Sequence, residues 1–181
     1  MKKYYTGIGS RTIPKEIEDY FILLGEYFAK LGFTLRSGHA DGSDKAFEKG
    51  CDIVKGNKEI YLPWRGFNDS TSKLYLDNIE YVDKAESIAR KYHPYWFNLK
   101  QGAKKLQTRN SYQVLGQDLL TPSKFIICYT KNGNGSGGTG QAIRIGKACD
   151  IPIFDCGKYN NLQDVKDNLH KFLIENNIIK Q

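Results

Sequence analysis

Residues 35–50, LRSGHADGSDKAFEKG, have the pattern of a strand-to-helix corner. A short apolar run ends at a glycine, passes through a small polar loop and continues into a helical pattern. Glycine and serine at the start of a helix leave backbone N–H groups free, and such a corner is a natural anion site. Asp41 and Asp44 lie three residues apart in this corner. One aspartate is explained as a helix cap, which leaves the second carboxylate to be accounted for.

The same strand-to-helix alternation recurs along the chain. Apolar residues at three- and four-residue spacing predict helices, and short apolar runs bounded by glycine or proline predict strands. The predicted strands span 3–9, 33–37, 59–64, 124–130 and 151–157. The predicted helices span 14–31, 43–55, 78–92, 102–119, 140–150 and 161–176.

Strands that alternate with helices predict the α/β class. We expect one domain over residues 1–181, with a mostly parallel sheet and helices on both of its faces. An aromatic-rich excursion at about 64–102 interrupts the rhythm. Sheets of this kind bind ligands at the carboxyl ends of their strands, near the point where the strand order reverses. The pattern therefore predicts where a site lies, and the residues of the loops indicate which class of ligand it binds.

The net charge and the cysteine content of the chain indicate which kinds of partner it can bind. The chain has 181 residues, 40% of them hydrophobic, and a formal charge of +7. This charge suits an anionic partner, either a nucleic acid or a phosphorylated small molecule. The four cysteines lie far apart with no CxxC pair, which favours free thiols over a disulfide framework or a zinc site. We expect a cytoplasmic protein with no membrane span, no metal and no cofactor.

Four polar segments lie at or near the predicted strand ends. They are GIGSR at 7–11, SGHADGSD at 37–44, TRNSYQ at 108–113 and NGNGSGGTGQA at 132–142. Glycines allow a close backbone approach to a ligand, and arginine binds phosphate in a fork geometry. Plain turns, a helix cap, a solvated helix face and a flexible surface loop are the alternatives. The candidate ligand-binding residues are Gly9, Ser10, Arg11, Ser37, Gly38, Gly42, Asn110, Gln113, Gly137, Gly138, Thr139 and Gln141.

Taken in order, these segments resemble the SLOG superfamily. That group includes the LOG-type nucleoside-monophosphate phosphoribohydrolases and the Rossmann-like part of the DNA-processing protein A family. The resemblance is carried by GIGSR, by residues 35–50, by EIYLP at 59–63, by RNSYQ at 109–113 and by GSGGTGQAI at 135–143. It implies a Rossmann-like three-layer fold with a nucleotide-type pocket, in a chain similar to stand-alone phage- or plasmid-type members. For such members the location would be the host cytoplasm, and a homo-oligomer is expected.

The resemblance also implies roles for individual residues. Arg109 falls where the LOG enzymes carry a catalytic arginine, and their catalytic glutamate position falls on Ala142. Cleavage of an N-glycosidic bond needs a carboxylate to stabilise an oxocarbenium-like state and to steer water. Asp41, Asp44 or Glu48 would have to supply it here.

Three functions follow as hypotheses. The first is a pocket for an AMP- or ADP-ribose-like ligand, which senses or sequesters the ligand or cleaves its N-glycosidic bond. The second is single-stranded DNA binding of the DNA-processing type, through the charge and exposed aromatics. The third is an interaction module with a vestigial pocket. We expect the aromatic excursion at 64–102 to form either a base-stacking wall or lid over the pocket, or an oligomer interface or local core.

Overall fold

Six parallel strands form one sheet in the computed structural model, which describes residues 2–180. Six α-helices accompany the strands in the described residues. The strands are β1 (Lys3–Gly9), β2 (Phe33–Ser37), β3 (Lys58–Leu62), β4 (Leu74–Tyr75), β5 (Ile126–Tyr129) and β6 (Ile153–Asp155). The helices are α1 (Lys15–Lys30), α2 (Ser43–Ile53), α3 (Val82–Tyr92), α4 (Gln101–Leu115), α5 (Gly137–Ala148) and α6 (Leu162–Glu175). The two kinds of element alternate except where β4 follows β3 and α4 follows α3.

The strand order places a switch point at the centre of the sheet. The order is β4-β3-β2-β1-β5-β6, and every pair is parallel. The chain builds outward from β1 to β4, then crosses back and adds β5 on the other side of β1. A crevice opens at the carboxyl ends of β1 and β5, where such folds bind their ligands.

Helices cover both faces of the sheet, which makes a three-layer Rossmann-like fold. Successive strand residues point to opposite faces. Tyr5 of β1 packs in a core with α1, α2 and α6, whereas Ile8 packs in a second core with α3, α4 and α5. Ile127 and Ile126 of β5 divide between the same two cores. The α/β prediction with helices on both faces is confirmed.

The short strand β4 is absent from the sequence prediction. Its two residues pair with Tyr61 and Leu62 at the edge of the sheet, inside the predicted excursion. Two residues are too few to show a period. The helix expected from residue 140 begins at Gly137, so the end of the glycine-rich segment forms its first turn. The helix expected to reach 119 ends at Leu115, because Gly116 takes a φ of 82° that stops it.

The excursion at 64–102 is partly core and partly surface. Phe67 and Trp96 are buried, and α3 packs against α4. Tyr95 and Phe97 remain 69% and 82% exposed. Within residues 2–180, no helix is both long and apolar enough to cross a membrane.

Helices α1 and α2 touch through their backbones. A Cβ placed on Gly50 of α2 would lie 1.9 Å from the carbonyl oxygen of Ile22, and one on Gly25 of α1 would lie 2.3 Å from that of Phe47. Both distances are well below van der Waals contact. The two glycines therefore set how closely these helices approach, and so the position of α2 at the sheet edge.

We expect Gly50→Ala to lower the free energy of unfolding by about 1–3 kcal/mol, because the methyl group forces α1 and α2 apart. Alanine is the better helix former by up to about 1 kcal/mol, so the sign of the change tests the packing. Gly102→Ala is the matched control, since only the Trp64 ring lies near its Cβ, at 3.9 Å. Urea denaturation should show that the control is neutral or stabilised. Equal effects of the two substitutions would contradict the close packing.

Candidate functional site

A cavity of about 410 Å³ opens at the carboxyl ends of β1 and β5. This volume falls in the usual range of ligand sites, about 300–1,000 Å³. The cavity is bounded by the loop after β1, the start of α2, one face of α4, the end of β5 and the start of α5. Its lining residues are Ile8, Gly9, Ser10, Arg11, Ala40, Asp44, Leu106, Gln107, Arg109, Asn110, Gln113, Tyr129, Thr130, Lys131, Ser136, Gly137, Gly138 and Thr139.

The loop after β1 is tied to the start of α2. The Ser10 carbonyl accepts hydrogen bonds from the Ser43 N–H at 3.2 Å and from the Ser43 hydroxyl at 3.0 Å. A Cβ on Gly42 would lie 2.4 Å from the Arg11 carbonyl oxygen, and the φ of Gly42 is 74°. Only glycine fits there. Arg11 lies exposed at the cavity rim, while the Ser10 hydroxyl donates to the Thr12 carbonyl.

Of the acidic residues expected in the pocket, Asp44 faces it and the others turn away. Asp41 is exposed and accepts a hydrogen bond from Lys45 at 2.7 Å. Glu48 bonds His39 and Lys58 outside the cavity. The expectation that Asp41 and Glu48 share the pocket is therefore corrected. Within residues 2–180, Asp44 is the one carboxylate among the lining residues.

Asp44 is buried without being neutralised by a close ion pair. Asp44 is 3% exposed and its side chain accepts a hydrogen bond from the Ala40 N–H at 3.4 Å. The backbone amides of Gly9 and Gly38 also favour its charged form. Burial raises the pKa of this carboxyl from 3.8 to about 6, while the charge of Arg109 and the backbone donors oppose the rise. The carboxyl thus titrates close to neutral pH, which is typical of functional sites.

Arg109 ties α4 to the loop after β2 and to β3, and it also lines the cavity. Its Nη1 donates to the carbonyls of Gly38 and Tyr61, the latter at 3.1 Å, and its Nε donates to the Asn110 side chain at 3.0 Å. The guanidinium carbon lies 5.7 Å from the centroid of the Phe67 ring. Burial lowers the pKa of Arg109, and the nearby carboxylate of Asp44 opposes this shift. Nη1 and Nε of Arg109 therefore donate to groups of the protein itself.

The first turn of α5 borders the cavity. Gly137, Gly138 and Thr139 line the cavity, and no side chain caps this turn. Free N–H groups and the helix dipole make such an end a site for anions. The preceding loop is fixed because Thr130 accepts the Gly135 N–H at 3.0 Å and donates its own N–H to Asp155 at 2.9 Å.

Two buried glutamines have side-chain atoms with no hydrogen-bond partner among the described residues. Gln113 is 1% exposed, lines the cavity and leaves its Nε2 unpaired. Gln141 is fully buried and leaves both Nε2 and Oε1 unpaired, but it is not among the lining residues. Ala142, the expected glutamate position, is buried in the core with α3 and α4 and is not among the lining residues.

The structure brings together most of the predicted site residues. Ser37, Gly38, Gly42 and Gln141 are not among the lining residues, and the Ser37 hydroxyl donates to the Gly7 carbonyl at 2.6 Å. Leu106 and Gln107 were missed, although they precede Asn110 by about one helical turn on the same face. The predicted residues that line the cavity are Gly9, Ser10, Arg11, Asp44, Arg109, Asn110, Gln113, Gly137, Gly138 and Thr139.

Comparisons of the chain with protein-family models, curated proteins and solved structures give no significant match. The resemblance to the SLOG superfamily stays a prediction from the motifs.

We expect the effect of Asp44→Asn on the stability of the fold to be more favourable at pH 8 than at pH 4.5. The folded-state pKa of about 6 lies above 3.8, so this carboxyl contributes stability below pH 4 that is lost as the pH rises through 6. The difference between the two pH values should be about 2 kcal/mol, at 1.36 kcal/mol per pK unit. Urea denaturation of both proteins at both pH values measures it. An effect independent of pH would contradict a buried, titrating Asp44.

Proposed function

We propose that the cavity binds a nucleotide or nucleotide-sugar of the AMP or ADP-ribose type. The observation that carries the proposal is the uncapped first turn of α5, which faces the same cavity as the buried carboxylate of Asp44. A nucleotide combines the two matching groups, since it has an anionic phosphate beside a sugar that carries hydroxyl donors. The resemblance to the SLOG superfamily supports the same ligand class.

Two cations at the cavity rim add to the attraction for phosphate. Arg11 and Lys131 both line the cavity and are exposed. Charged rims concentrate anionic ligands and speed their association. Inside the cavity, Ile8, Leu106 and Tyr129 supply the apolar and aromatic surface against which a base would stack. The aromatic side chains of the excursion at 64–102 are not among the lining residues, so a stacking wall from that segment has no support.

Cleavage of the N-glycosidic bond is the catalytic form of this proposal, and sensing or sequestering is the binding form. Asp44 is the residue available to stabilise a developing oxocarbenium charge, because Ala142 cannot supply a carboxylate. Incubation of the protein with AMP and ADP-ribose, followed by chromatography, separates the two forms. Release of the base would show that the protein is an enzyme. A ligand that stays intact but raises the melting temperature would show that it is a binding protein.

A charge placed on α5 tests the phosphate site directly. We expect Gly138→Asp to weaken AMP binding at least about 10-fold relative to Gly138→Asn, because the two side chains match in shape and differ in charge. A Cβ at this position meets only Gln107 Nε2, at 3.3 Å. An acid in a first helical turn stabilises the helix, so the Asp variant should fold. Isothermal titration calorimetry with AMP measures the ratio, and equal affinities would remove the phosphate from this turn.

Binding of single-stranded nucleic acid is the second candidate function, and one feature favours it. No Asp or Glu occurs from Ser87 to Gln117, and Tyr95 and Phe97 are exposed within this stretch. Exposed aromatics among cations can stack successive bases. This candidate requires that oligodeoxythymidine binding fall steeply between about 50 and 200 mM salt. It also requires that Phe97→Ala weaken binding while Leu120→Ala, at a site 73% exposed, does not.

A further inference from the structure

Two buried polar groups of opposite hydrogen-bonding character meet beside Gly38. The backbone amide of Gly38 lies close enough to Asp44 to lower the pKa of its carboxyl, and a Cβ built on Gly38 would lie 2.2 Å from Gln113 Nε2. Asp44 is 3% exposed, Gln113 is 1% exposed, and both line the cavity. Gln113 Nε2 has no partner in the described part of the chain. A donor without an acceptor thus lies close to a carboxylate.

The carboxylate of Asp44 also retains capacity for one more hydrogen bond. An ionised carboxylate has about four lone-pair sites. The Ala40 N–H donates to Asp44 at 3.4 Å, and the backbone amides of Gly9 and Gly38 lie close enough to lower the pKa of its carboxyl. A ligand group that donates to Asp44 and accepts from Gln113 would satisfy both residues. A hydroxyl does both, because it carries one donor and two acceptor lone pairs.

This pair of residues lies next to the end of α5 that faces the cavity. Asn110 donates from Nδ2 to the Gly138 carbonyl at 3.1 Å, which fixes α4 against the first turn of α5. Gln113 follows Asn110 by three residues on α4, a rise of about 4.5 Å along the helix. The step from the proposed phosphate site to Gln113 is therefore short. In a nucleotide, the sugar is the group joined directly to the phosphate, and the base lies beyond it.

We propose that Gln113 and Asp44 bind a ring hydroxyl of the ribose, so that the cavity selects ribonucleotides over 2′- or 3′-deoxynucleotides. This inference rests on the proposed function. The hydroxyl donates to an Asp44 oxygen and accepts from Gln113 Nε2. A ligand without this hydroxyl leaves both buried groups unpaired, which costs far more than the loss of one exposed hydrogen bond. Sites built to bind a ligand hydroxyl discriminate strongly against analogues that lack it.

Calorimetric titrations of the intact chain with AMP, 2′-deoxy-AMP and 3′-deoxy-AMP test the inference. We expect AMP to bind at least about 10-fold more tightly than one of the two deoxy analogues. Gln113→Met keeps the length of the side chain and removes the donor. It should reduce the preference to under about threefold by weakening AMP binding, with little change for the deoxy analogue. Gln117→Met, an exposed site just beyond α4, is the control and should keep the preference of the wild type.

Each outcome decides the inference. Affinities of the wild type for all three nucleotides within about threefold overturn it while leaving the proposed nucleotide site intact. Unchanged discrimination in a folded Gln113→Met variant removes Gln113 from the role. Failure of AMP to bind at all also overturns it, and the proposed function then depends on whether ADP-ribose binds. The wild-type comparison needs no variant, so it decides even if Gln113→Met does not fold.

Discussion

The buried guanidinium of Arg109 joins the three segments from which one side of the cavity is built. It donates to the Gly38 carbonyl in the loop after β2, to the Tyr61 carbonyl in β3 and to Asn110 on α4. Without it, two backbone carbonyls would lose a charged donor, which is costly at a buried site. A Cβ on Gly38 would lie 1.6 Å from Nη1, so only glycine admits the guanidinium. The side chain that resembles a catalytic arginine thus also holds the fold of the site.

The charges of the cavity are separated in a way that suits an ionic ligand with polar neutral groups. Positive potential comes from the first turn of α5 and from Arg11 and Lys131 at the rim. Negative charge is confined to Asp44, where burial raises the pKa to about 6. A carboxylate held this way costs stability, and residues kept at such a cost are typical of functional sites. The arrangement favours a ligand over a purely structural role.

The sequence predicts the layers of the fold better than the details of the site. The spacing of apolar residues that marks each helix or strand repeats over many residues, so a single irregular position does not hide it. This is why the core layers are predicted correctly. The strand β4 is only two residues long and carries no period. The choice between Asp41 and Asp44 depends on the backbone at Gly42, where a φ of 74° sets the direction of the first turn of α2.

The two glutamines, Gln113 and Gln141, also show which details of the site the sequence can and cannot predict. Gln113 follows Arg109 by four residues, so helical spacing alone places the two on one face of α4. Gln141 has the residue type and the neighbourhood of a ligand-binding group, yet α5 turns it into the interior. Helical phase at a helix start depends on where the first turn begins. Glycine-rich segments do not reveal that point, because their residues adopt many conformations.

Binding of a phosphate at the first turn of α5 can be detected through amide chemical shifts. Titration of ¹⁵N-labelled protein with AMP should shift the backbone N–H signals of Gly138 and Thr139 downfield, along with the side-chain amide signals of Gln113. These groups line the cavity from two different helices. Shifts confined to residues near Tyr95 and Phe97, or no shifts at saturating AMP, would contradict phosphate binding at this turn.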